Sequence, residues 1–170
     1  TGSQFGLLST AQIQGLGTSV IRSLTAAQLQ GLNTSQVAAL TQAQVKAMSA
    51  SQLGVGGLST AQTAALPTYD IAALDTTALA SLQITALTTA QAKALSAVQI
   101  KSLSTTQIAA LPTAQTQQLT ADVIKTLTLA QVAALTTSQV KNLSAIQLAS
   151  LSATQLNAMS TTQLPQLTAS

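Results

Sequence analysis

An all-α solenoid of very short helices is the fold class the sequence predicts. Three observations carry it: an eight-residue period through almost the whole chain, a helix-start signal in nearly every copy, and a regular place for two aliphatic side chains per copy. The period is read from Leu or Met, which recurs at Leu8, Leu16, Leu24, Leu32, Leu40 and Met48, then at Leu58, Leu66, Leu74 and Leu82. It resumes at Leu87 and runs in steps of eight through Leu103, Leu111 and Leu143 to Met159 and Leu167. About nineteen copies share the order Leu, Ser/Thr, Thr/Ala, small, Gln, Ile/Val/Leu, variable, small. Self-similarity on this scale is the signature of a repeat array.

Each copy starts a helix. Ser or Thr followed three residues later by Gln is a capping box: the hydroxyl accepts from the N–H at the Gln position, and the Gln side chain reaches back. The flanking Leu and Ile/Val/Leu stand at the two positions of a hydrophobic staple. In the unit Leu103–Ala110, Ser104 and Gln107 form the box, and Leu103 and Ile108 form the staple. One continuous helix fails on angle. Eight residues at about 100° each advance the Leu by about 80° per unit, so its row spirals around the cylinder. The pattern instead predicts a turn or two of helix, then a bend at the next Leu-Ser/Thr. A β-solenoid with three octads per coil is the alternative, but period-two alternation is absent and Ala, Gln and Leu are weak strand formers. Isolated helices this short are marginal in water, so the units must stack on one another, with the aliphatic positions as an inner ladder.

The register also predicts an outer face. All six basic residues, Arg22, Lys46, Lys93, Lys101, Lys125 and Lys141, occupy the seventh position of their octads. Confining so rare a side chain to one register marks that position as solvent-facing. Of the three acids, Asp70 replaces Gln at the third helical position, Asp75 takes a cap position and Asp122 sits in a first turn. All three are expected to favour the positive helix N-terminus.

The pattern divides the chain. Residues 1–7 are a lead-in and 8–57 a first array. Residues 58–86 are irregular, following the Gly56-Gly57 insertion and ending on the short unit Leu82–Ala86; 87–170 is a second array. Thr1 begins mid-pattern, with no initiator Met or signal peptide, which reads as a fragment or processed piece.

Composition excludes several function classes. Charged residues make up 5% of the chain, where about 25% is usual, and the net charge is +3. His, Glu and Cys are absent, so the ordinary acid/base groups and metal ligands are missing; no catalytic, cofactor-binding or metal residue is assigned. An enzyme is not expected. The weak basic excess and the lack of stacking aromatics argue against nucleic acid. No apolar run reaches the length of a membrane span.

The octads, such as Leu127–Ala134 and Leu87–Ala94, resemble repetitive regions of very large secreted or surface proteins of bacteria, often labelled adhesin or haem-utilisation proteins. The resemblance covers about residues 8–170. It implies an extracellular or cell-surface setting and no haem ligand, since the chain has no His or Cys. The expectation is an extracellular structural repeat protein: a filament or sheath protomer, or a stalk segment, that partners copies of itself or other parts of a larger surface protein. Adhesion or ligand binding, to glycan, surface or ice, is the alternative.

Overall fold

A computed structural model describes residues 2–168. Thr1 and residues 169–170, the outer ends of the lead-in and of the second array, lie outside the described residues. The protein is helical throughout: nineteen α-helices of four to six residues and two short 3-10 segments, with no strand among the described residues. The β-solenoid alternative is thereby set aside.

Within the octads the helices begin where the sequence places them, and Gly2–Phe5 adds one in the lead-in. Thirteen of the nineteen carry a complete capping box, Ser104 with Gln107 among them. The Ser104 hydroxyl accepts from the Gln107 N–H at 3.1 Å, and the Ser104 N–H donates to Gln107 Oε1 at 2.9 Å. Boxes are missing where a residue departs from the pattern. Pro67 and Pro112 cap without a side-chain bond, and Thr120 caps a helix whose third residue is Val123. Some helices run to the next Leu, which caps them in extended or near-extended backbone (φ −67°, ψ 142° at Leu103) and turns the chain into the following cap; others end earlier, at residues such as Gly15, Ala94 and Ala158 in helical backbone.

The chain forms two compact units, residues 1–87 and 88–170. In the first, helices pack on the third one along: Gly2–Phe5 on Ala26–Gln30, Thr18–Ser23 on Gln42–Ala47, and Gln42–Ala47 on Thr68–Ala73. The second repeats the rule, with Thr105–Ala110 on Leu129–Ala134 and the latter on Ala153–Asn157. Three octads therefore make one coil, and coils stack. The staple residues fill the interior: Ile13, Ile21, Leu29, Val37, Val45 and Leu53 are fully buried in the first unit, as are Ile100, Ile124 and Val132 in the second. Fully burying one such side chain contributes roughly 1.5–3 kcal/mol.

Small residues at the eighth position let coils approach. At Gly31 a Cβ would lie 2.0 Å from the Gly2 carbonyl oxygen, so no side chain fits between those two turns. The Gly56-Gly57 insertion is a tight turn with Gly56 at φ +91°, a conformation L residues rarely adopt. Its ends close by Gly57 N–H to the Gly54 carbonyl at 3.0 Å and Leu58 N–H to the Gln52 carbonyl at 2.8 Å.

Candidate functional site

The regular polar feature of the molecule lies between its coils. Gln at the fifth position of the octad caps its own helix through Oε1, which leaves its Nε2 free to donate elsewhere. In the first unit, Gln44 Nε2 donates to the Ile13 and Leu16 carbonyls, each at 2.8 Å, and Gln52 Nε2 to those of Ile21 and Leu24, also at 2.8 Å. In the second, Gln139 Nε2 reaches the Ile108 carbonyl at 2.8 Å and the Leu111 carbonyl at 2.7 Å. Gln131, Gln147, Gln155 and Gln163 make the equivalent bonds. The Leu acceptor stands 28 residues earlier, which is three octads plus the four residues between Gln and its own Leu.

One side chain thus does two jobs. Its oxygen starts a helix and its nitrogen ties that helix to the coil before it. These amides are buried, Gln44 and Gln139 at 1% exposure, so each bond satisfies a donor and acceptors that would otherwise be stranded away from water. Sequence reasoning assigned Gln the first job and missed the second. The signal was present: Glu completes a capping box as well as Gln does, yet the chain contains no Glu. Of the two, at neutral pH, only the amide carries both an acceptor and a donor.

Val20 replaces Gln in the first coil, and three later positions depart from this ladder. Val123 is buried and apolar, so it leaves no stranded polar side chain. Ala78 removes the amide altogether, in the helix capped by Asp75, whose carboxylate accepts from the Ala78 N–H at 2.8 Å. Asp70 is different. Its side chain is fully buried, and neither carboxylate oxygen has a hydrogen-bond partner. Burial pushes the carboxyl from its ordinary 3.8 up to about 6, with the Lys46 charge pulling back. The expected comfort of a helix N-terminus does not describe Asp70, because loss of hydration outweighs it. Asp122 behaves as expected for an exposed acid: its hydrogen bond with Lys125, then the Lys125 charge, hold its carboxyl below the usual range. The short unit keeps the ladder by another route, with Gln83 Nε2 donating to the Leu58 carbonyl at 2.5 Å.

The basic register is exposed at all six positions. The coil period pairs some of its members: Arg22 and Lys46 line one cleft with Ser49 and Thr77, and Lys101 and Lys125 line another with Thr126, Thr128, Ser150 and Ser152. The second cleft, of about 520 Å³, is open and mixes Ser and Thr hydroxyls with the side chains of Leu127, Leu129 and Leu151. Of the example unit, Leu103 and Ile108 are buried at 3% and 1% exposure around the Ser104/Gln107 box. No cluster of three or more His, Cys, Asp or Glu side chains is placed to hold a metal among the described residues. No helix among them is long and apolar enough to cross a membrane.

Residues 5–42 and 16–50 match the family model of the ALTTAQ repeat. That match identifies a repeat region in the first unit. No curated protein and no solved structure matches the chain.

Proposed function

We propose that this chain is a non-enzymatic structural element working outside the cell, as a stalk segment or as a protomer of a filament or sheath. The observation that carries the reading is the directionality of the inter-coil ladder. Every laddered coil donates Gln amides toward the coil before it and offers Leu and Ile/Val carbonyls to the coil after it. An interface of that kind is heterologous: where its rotation does not close a ring, it adds copies in one direction and builds rods and filaments. Successive chains can use the contact that successive coils use. A surface with so few charges offers little repulsion against such stacking. The extracellular setting rests on the resemblance of the octads to bacterial surface-protein repeats.

Negative-stain electron microscopy of the purified chain over a range of concentrations tests this. Polymers of uniform width support self-assembly; dispersed particles at every concentration remove the filament and sheath versions and leave the stalk.

A second reading, adhesion, is favoured by one feature, the open cleft bearing Lys101 and Lys125 beside Ser and Thr hydroxyls. Glycan-array binding that is lost in a Lys101→Ala/Lys125→Ala double variant would select it over the passive scaffold.

A further inference from the structure

Asp70 occupies a place that chemistry elsewhere in the unit reserves for a donor. Gln62, one octad earlier, donates to the Leu29 and Leu32 carbonyls, which lie 33 and 30 residues back because of the Gly56-Gly57 insertion. The same offsets from Asp70 lead to the carbonyls of Val37 and Leu40. An ionised carboxylate has no proton to give a carbonyl, and both Asp70 oxygens are buried without a hydrogen-bond partner. A carboxylic acid has one. The next octad cannot compensate, since Ala78 has no side-chain donor. Two consecutive ladder places in the first unit therefore lack an amide.

We propose that Asp70 is a proton-operated latch on the coil seam that joins the helix Thr68–Ala73 to the preceding coil: protonated, it lets the seam close, and ionised, it loosens it. The charged side chains of the first unit are four, Arg22, Lys46, Asp70 and Asp75. The helix packed against Thr68–Ala73, Gln42–Ala47, contributes Lys46, which favours the ionised form but is exposed and makes no ion pair with Asp70. Asp75 lies beyond the end of the same helix as a cap, and Tyr69 points to solvent at 59% exposure. Burial wins, and the carboxyl titrates near pH 6.

The direction of the effect follows. A carboxyl raised in the folded state stabilises folding fully only below its unfolded value of 3.8, and the advantage is lost as pH rises toward about 6. Above that the seam stays loosened. The chain is unusually clean for seeing this, because it has no histidine, the side chain that ordinarily titrates in this window.

The test combines a carbon-13 carboxyl titration of the three aspartates with denaturant unfolding at pH 4.5 and 7.5 of the wild-type chain, Asp70→Asn and Asp70→Gln. The expected results are an Asp70 midpoint near pH 6 and a wild-type folding constant about 25-fold lower at pH 7.5 than at pH 4.5. In Asp70→Gln, which restores the amide, that pH dependence shrinks to within about twofold. An Asp70 midpoint at the ordinary carboxylate value overturns the proposal, and so does an equal pH dependence in wild type and Asp70→Gln. Should either variant fail to fold, the wild-type titration still decides.

Discussion

The ladder is continuous in one stretch of the molecule and broken in another. From Gln131 to Gln163 in the second unit, five successive octads each tie back to the preceding coil by a buried amide. At Asp70 and Ala78 in the first unit, two successive octads have lost that amide, though their helices and aliphatic cores are in place: Ile71 and Leu79 are both fully buried. The contrast separates two contributions that repeat arrays usually combine. Burial of the staple residues makes each octad a helix against a core, whereas the Gln amide decides how firmly one coil holds the next.

The largest expected effect breaks the continuous stretch. Gln139→Glu keeps the acceptor that caps the helix but replaces the donor with a buried charge facing the Ile108 and Leu111 carbonyls. It is expected to cost about 3–5 kcal/mol at pH 7, measured by denaturant unfolding. Part of the loss should return below about pH 5, as the buried carboxyl protonates. Ala78→Gln sharpens the contrast from the other side by restoring a missing amide. It should gain about 1 kcal/mol in the same assay, the net worth of a satisfied hydrogen bond. Thr136→Ala removes only the cap hydroxyl that accepts from Gln139 N–H at 3.1 Å, and should cost about 1 kcal/mol. Lys125→Ala should change stability by less than about 0.5 kcal/mol, since its ion pair with Asp122 is exposed on both sides.

Local structure was legible in the sequence to the level of single residues. Ser104, Gln107, Leu103 and Ile108 stand where the box and staple require, because both devices act within one octad. The two pattern breaks were legible as breaks. How they are accommodated was not: that Gln83 would take over a ladder bond to Leu58 depends on a contact 25 residues away. The coil period belongs to the same class. It is set by bonds such as Gln44 to Leu16, across 28 residues, and the octad repeats identically whether two, three or four copies complete a coil. The pairing of Arg22 with Lys46 and of Lys101 with Lys125 becomes visible only once that period is known. Asp70 could be placed in the Gln register from sequence, but its burial follows from the coil beside it.

The account rests on the Gln amide bridging coils three octads apart, and proton exchange of glutamine side-chain amides reads that bridge directly. In assigned spectra, the bonded Nε2 hydrogens of Gln131, Gln139, Gln147, Gln155 and Gln163 should exchange with solvent far more slowly than those of exposed Gln118. Exchange of all six at the same solvent-limited rate would contradict it.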